Sequence, residues 1–241
     1  MAAIPRGRPG PGANRLFEIL PDGSRSRLSE LGRRVPLKYA ELLVNDGEPF
    51  RHVWFPLSGV VSLVVLMKDG RGVDAATVGF EGMVGAPVVL GTELSQVTVQ
   101  IEGEALRVPA PEFCQLLQQD PALRDVLLRY IDVLLTQALR STGCNRLHGV
   151  EERLARWLLT THDWVWRDQF HLTQDFLALM LGVRRPSVTV AAGALQQKGM
   201  ITYRRGDVAI LDREALERTS CEDYEAIRDA FERLLALPAT G

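Results

Sequence analysis

Three regions of this chain separate by their hydrophobic period, and that separation constrains the fold more than any motif does. From about Val35 to Pro109 the sequence carries short β-branched runs broken by turn residues: "HVWFPLSGVVSLVVLM", "KDGRGVDAATVG" and "SQVTVQIEGEALRVP". Such runs predict short antiparallel strands, and Asp46-Gly47 and Asp69-Gly70 are hairpin-type turn pairs. Strands at this spacing suggest an antiparallel roll or barrel. A helical segment, "ANRLFEILPDGSRSRLSELG", precedes them. From about Pro111 the period becomes helical, so strands come first and helices after, the order of an α+β chain.

The first long helix is predicted to begin at Pro121, capped by Asp120. Along it Leu123, Leu127, Tyr130, Leu134, Gln137 and Ser141 recur at spacings of four and three, a coiled-coil seam, and Val126 and Val133 widen the apolar stripe. A helix packed on a roll can bury one stripe but hardly two, so the seam residues Leu123, Leu127, Tyr130, Leu134 and Gln137 are read as a dimer interface. The alternative is one helix lying flat on its own domain. "STGCNR" then reads as a hinge, because Ser, Thr, Gly and Asn interrupt the helical pattern.

After the hinge, "EERLARWLLTTHDWVW" is a helix, and "LTQDFLALMLGVRRPSVTVAAGALQQKGMI" holds two short helical patterns meeting at "LGVRRP". Thr173 is a capping residue, Ala178 is small where a second helix must cross closely, and Gly182 stands where the chain turns sharply. Val188, Ala191, Ala192 and Leu195 make an i, i+3, i+4, i+7 stripe. Ala-x3-Gly-x5-Val across two short helices is the packing skeleton of a helix-turn-helix. Arg184, Arg185, Ser187 and Thr189 lead the second helix, whose N-terminal residues meet base edges in this motif. A hairpin, "ITYRRGDVAILD", follows and offers Tyr203, Arg204 and Arg205 as a wing. Thr173, Gln174, Arg184, Arg185, Ser187, Thr189, Tyr203, Arg204 and Arg205 are therefore the candidate DNA contacts. The chain closes on an acidic amphipathic helix, "REALERTSCEDYEAIRDAFERLLAL", read as a solvated face.

Composition excludes several classes. The 241 residues carry a net charge of −2, so a nucleic-acid surface must be local. No apolar run approaches the roughly 20 residues needed to cross a bilayer, and "MAAIPRGRPGPGANR" lacks the apolar centre of a secretion signal and reads as a loose arm. Cys114, Cys144 and Cys221 are far apart, odd in number and without C-x-x-C spacing, and are read as ordinary thiols of a reducing cytosol. His52, His148, His162 and His171 make no metal-ligand pattern. No metal and no cofactor are expected. With no G-x-S-x-G and no Walker loop, catalysis is not expected either.

Roll, long helix, hinge and winged helix-turn-helix in this order resemble the Crp/Fnr family of bacterial transcription regulators, from about Leu16 to Leu211. The most specific part is "LALMLGVRRPSVT" with "ALQQKGMI". The resemblance implies a cyclic-nucleotide-binding-like roll (a double-stranded β-helix) and a homodimer on two-fold symmetric operators of double-stranded DNA. It also implies RNA polymerase as a partner and, for some members, a small-molecule effector. By position, Arg185 matches an arginine that reads guanine, and Ser187 a hydroxyl that contacts phosphate. Pro186 and Val190 depart from the family's glutamate and second arginine, so the operator differs from its best-known consensus. In the roll, Gly85 matches the family's glycine, but Ala86 and Pro87 stand where the ribose carboxylate belongs. Leu94, Ser95 and Gln96 occupy the stretch of the phosphate arginine. The candidate effector pocket of Gly85, Ala86, Pro87, Ser95 and Gln96 thus lacks the cyclic-nucleotide ligands, and Glu81, in the "GFEG" turn, is expected to be exposed.

These readings divide the chain into an arm at 1–13, a sensor at 14–120, a dimerisation helix with hinge at 121–145, and a winged helix-turn-helix domain at 146–241. The expected function is a cytoplasmic, sequence-specific regulator of transcription. The alternative is a ligand-binding or protein-interaction module that has lost specific DNA binding.

Overall fold

The computed structural model describes residues 12–90, 96–165 and 167–236. Two short helices lead in, α1 (Arg15–Glu18) and α2 (Asp22–Leu31). They are split at Pro21, where the sequence reads as one segment; Pro21 sits at the start of α2, and Asn14 caps α1 by accepting from the Phe17 N–H.

The strands β1 (Arg33–Leu37), β2 (Leu42–Val44), β3 (His52–Pro56), β4 (Val60–Leu66), β5 (Gly72–Val78), β6 (Gln96–Ile101) and β7 (Gly103–Pro109) form two antiparallel sheets, ordered β1-β7-β3 and β2-β6-β4-β5. A 3-10 turn, Ala86–Leu90, lies between β5 and β6. The roll expected from the β-branched runs is present. Asp69-Gly70 turns the β4–β5 hairpin with Gly70 at φ 82. Asp46-Gly47 also turns, with Gly47 at φ 74, but it carries the chain from one sheet to the other and closes no hairpin. Val53, Phe55, Ala105 and Val108 from one sheet and Val61, Ala76, Val97 and Val99 from the other share one core.

The helix α3 (Ala110–Gln119) leads to α4 (Pro121–Leu147), where Asp120 accepts from the N–H groups of Ala122 and Leu123. The structure corrects the seam. Leu123, Leu127, Tyr130 and Leu134 are buried in the roll's own core, and Gln137, also buried, donates to Thr77 O of β5 at 3.2 Å. The Tyr130 hydroxyl donates to Met83 O and accepts from Met83 N, both at 2.9 Å, beneath Gly82, where a Cβ would come 2.3 Å from that oxygen. These residues hold α4 on its own roll and are not available to a partner. A second apolar stripe lies on another face of the helix: Leu128, Leu135 and Leu139, exposed at 45%, 55% and 64%, at heptad-like spacings of seven and four. The hinge is also corrected. Ser141 and Cys144 are buried and the helix runs unbroken through "STGCNR" to Leu147, with the break at His148.

Then follow α5 (Val150–Val165), β8 (Gln169–His171), α6 (Gln174–Leu181), α7 (Arg185–Gln197), β9 (Ile201–Arg204), β10 (Asp207–Ile210), α8 (Arg213–Thr219) and α9 (Asp223–Leu235). The wing is a three-stranded sheet, β8-β10-β9, one strand more than the sequence shows. The closing acidic segment is two helices. Its outer carboxylates are solvated, but Tyr224, Ile227, Ala230, Phe231 and Leu234 of α9 are buried, the last four in the core shared with the roll and α4.

Candidate nucleic-acid interface

The two-helix unit is built as its residues dictate. Thr173 Oγ1 accepts from the Phe176 N–H at 3.2 Å, satisfying one free donor at the start of α6. Gly182 ends α6 at φ 61, with its N–H on Leu179 O (3.1 Å) and the Val183 N–H on Ala178 O (3.0 Å), the paired bonds of a Schellman cap. Val188, Ala191, Ala192 and Leu195 face inward and fix α7 across α6, Val188 with no exposed surface.

That packing leaves one face of α7 in solvent. Arg184, Arg185, Thr189 and Val190 are exposed, and Pro186 takes the first turn, where its missing N–H leaves no bond unmade. Arg185 is held in place before any ligand arrives. Its Nε donates to Gln174 Oε1 at 3.3 Å, Thr189 Oγ1 donates to the same oxygen at 3.2 Å, and Asp175 lies 3.5 Å from the guanidinium. Both partners are exposed, so the Arg185–Asp175 pair adds little stability and releases easily. An arginine presented edge-on at the start of such a helix can donate both its N–H forks to a guanine edge.

The wing turns at Arg205-Gly206, with φ 55 and 91 at these two positions. A two-residue loop with both φ positive is the hairpin turn that matches strand twist. Arg205 thus accepts a left-handed conformation unfavourable to any residue but glycine, and it holds its guanidinium at the exposed tip. Thr173, Gln174, Asp175, Arg185, Tyr203 and Arg205 line one shallow cleft between α6, α7 and the wing. Arg204 is exposed nearby on β9. Ser187 lies on the other flank of α7, half-buried beside Pro186 and Val190. Tyr203 differs from its companions: its hydroxyl donates to Leu172 O at 2.7 Å and burial pushes its pKa up to about 12, so it braces the wing.

The roll meets this unit directly. Ser62 Oγ and Gln100 Nε2 both contact Met180 Sδ of α6, at 3.3 and 3.1 Å. Leu179 and Val73 pack where α6 crosses β5. The sequence gives no hint of these contacts, because each residue looks like ordinary core.

The residues named for the effector pocket differ in their surroundings. Gly85 is buried at φ 93, where an added Cβ would lie 3.0 Å from Val53 and 3.3 Å from His52 O. Ala86 has no exposed surface and belongs to the roll's core. Pro87 is half-buried, Gln96 donates to Thr98 Oγ1 at 3.2 Å, and Ser95 lies outside the described residues.

Glu81 is half-buried, contrary to its expected exposure. The chain folds α5 back over the turn, burial pushes the carboxyl up to about 7, and the Trp164 side chain and Arg15 partly offset that. A raised carboxyl favours the protonated fold. Its stabilisation is complete below about 4.5 and is lost as pH rises through about 7. Glu81→Gln is therefore expected to raise Tm relative to the parent above neutral pH, by an amount equivalent to about 1–3 kcal/mol, and to leave it unchanged in acid. Thermal melts across that window check this; a parallel shift at every pH would refute it.

Comparisons with known proteins agree with this geometry. The family model "Crp-like helix-turn-helix domain" matches residues 152–219, and "Cyclic nucleotide-binding domain" matches residues 34–120. No curated protein sequence matches significantly. A Crp/Fnr-family transcriptional regulator from Eubacterium rectale superposes with a TM-score of 0.68 at 15% identity, over 85% of this chain and 96% of its own. FixK2 from Bradyrhizobium japonicum does so at 0.65 and 16% identity, covering 79% and 98%. The c-di-GMP-responsive regulator CLP of Xanthomonas campestris gives 0.63 at 18% identity, covering 79% and 99%. Fold and domain pair together define a DNA-binding protein of the winged helix-turn-helix class, joined to a cyclic-nucleotide-binding-type roll. The chain belongs to the Crp/Fnr family of transcription regulators.

Proposed function

We propose that this chain acts in the cytoplasm as a homodimer that reads a palindromic operator, with Arg185 and Thr189 on base edges and Arg184, Ser187, Arg204 and Arg205 on the flanking backbone. The observation that carries this reading is the cleft in which Gln174 braces an exposed Arg185 beside the wing arginine Arg205. The arrangement supports binding to DNA. The departures Pro186 and Val190 are both exposed, so they alter which sequence is read and leave the packing of α7 intact. RNA polymerase is the partner that such a regulator would recruit or block. Binding of a random-sequence duplex pool is expected to weaken steeply with salt, and replacing both Arg204 and Arg205 with alanine should make that slope shallower by about two units per half-site, about four for the dimer. A slope unchanged by both replacements would remove the wing from the interface.

The roll, in this reading, does not answer to cyclic AMP: another ligand activates the protein, or the dimer rests in its DNA-competent geometry. Ala86 stands in the core where the family's carboxylate belongs, and no arginine occurs from Leu94 to Gln96. A cyclic phosphate keeps a full negative charge at neutral pH, and burying it without a cation forfeits its hydration. Calorimetry with cyclic AMP and cyclic GMP is expected to show no saturable binding at micromolar concentration, and operator affinity should not change on adding either. Micromolar binding coupled to a gain in operator affinity would contradict this.

A further inference from the structure

Where α4 ends and α9 begins, four side chains converge that sequence spacing kept apart: Cys144, His148, Cys221 and Asp223. Their sulfur, nitrogen and oxygen atoms all lie within 4.8 Å of one another. The two thiol sulfurs are 3.3 Å apart, His148 Nδ1 is 3.5 Å from Asp223 Oδ2, and Cys221 Sγ is 3.8 Å from that same oxygen. Metal–ligand bonds of about 2.0–2.3 Å around tetrahedral zinc imply ligand–ligand edges of about 3.3–3.8 Å. The three separations lie within about half an ångström of the edges expected for their ligand types, and the remaining ones close with shifts of about an ångström.

The surroundings are those of a ligand set. Cys144 and His148 are four residues apart at the end of a helix, which places both on one face. Cys144, Cys221 and Asp223 are buried. His148 Nε2 faces Glu222 Oε2 at 3.2 Å, which leaves Nδ1 buried, without a well-formed hydrogen bond, and directed at the cluster. A carboxylate on the outer nitrogen is the support that a metal-bound imidazole ordinarily receives, because it fixes the tautomer and raises basicity. Arg140 lies 3.5 Å from Asp223 Oδ1, the oxygen turned away from Nδ1, and offsets the excess negative charge of two thiolates and a carboxylate. A Cys144–Cys221 disulfide would leave the histidine and the buried carboxylate with no role.

We propose that Cys144, His148, Cys221 and Asp223 bind one zinc-type divalent cation. Two thiolates and an imidazole select a borderline-soft metal over magnesium or calcium, which take oxygen ligands. On coordination the two thiols each release one proton to solvent, and no electron changes hands. The cation fastens the start of α9, which is packed on the roll and α4, to the point where α4 hands over to the DNA-binding domain. Metal occupancy thereby sets how firmly that domain is held.

The test uses the full-length protein, reduced, incubated with cobalt(II) or zinc(II) and desalted. One metal per chain is expected, with thiolate-to-cobalt charge-transfer bands, the strong visible bands of tetrahedral cobalt, and their loss on adding zinc. Cys144→Ser with Cys221→Ser should abolish both, and Cys114→Ser should change neither. Glu222→Gln, at an exposed position that leaves the fold intact, should weaken metal affinity about 10–100-fold. A chelator should lower Tm in the parent and have no effect on the double variant. Reduced parent protein that retains no metal, a double variant that retains as much, or a Glu222→Gln protein of unchanged affinity would each overturn the proposal.

Discussion

Replacing Leu128 and Leu135 together with glutamate is expected to leave each chain folded and to abolish tight operator binding. Both side chains project into solvent on α4 and touch no core, so the folded protomer loses little. Between two copies the same substitutions place like charges in an apolar seam, which costs far more than a rim contact would gain. Binding by one half-site alone forfeits the effective concentration that a linked pair supplies, a loss of about 10²–10⁴ in operator affinity. Light scattering should then report a monomer with native circular dichroism. Leu127→Ala is the contrast: it removes core packing under the roll, should destabilise the fold by about 2–5 kcal/mol, and should leave assembly through Leu128, Leu135 and Leu139 unchanged while the chain remains folded. A parent protein that is monomeric at micromolar concentration would contradict the assembly, as would a doubly substituted chain that still dimerises.

Arg185→Ala carries the second large effect. Loss of a bidentate guanine contact should weaken binding to the preferred sequence by about 1–3 kcal/mol per half-site and relax the preference at one base pair. Gln174→Ala should weaken binding less, because it frees the guanidinium without removing it. Arg205→Ala should act on every sequence alike, lowering the salt slope by about one unit per half-site. Anisotropy titrations against matched and singly substituted duplexes separate these outcomes. An equal loss of base preference from Arg185→Ala and Arg205→Ala would refute the division between reading and anchoring.

Local chemistry made much of this molecule legible. The Thr173 cap, the left-handed Gly182 and the inward Val188, Ala191, Ala192 and Leu195 are each required by short-range geometry, so the reading unit could be written down from its residues. The long helix shows the limit. Periodicity identifies an apolar stripe and leaves its partner open: Leu123 to Gln137 take the protomer's own roll, while Leu128, Leu135 and Leu139 make a second, outward stripe. The misplaced hinge has a similar cause, since burial of Ser141 and Cys144 outweighs the weak helix propensity of "STGCNR". Glu81 looked solvated until α5 folded across it. Cys144 and Cys221, 77 residues apart, meet only because α9 returns to α4, a long-range contact with no signature in spacing. Long-range docking of one element on another is where residue-by-residue reading stopped.

The most direct measurement is enrichment of bound duplexes from a random library by the full-length protein, with the recovered sequences read in bulk. A homodimer presenting two α7 helices should enrich one two-fold symmetric sequence, with half-sites centred about one helical turn apart (about 10 base pairs) and a guanine preference that Arg185→Ala erases. Recovery of unenriched or asymmetric sequences, or enrichment that Arg185→Ala leaves unaltered, would contradict it.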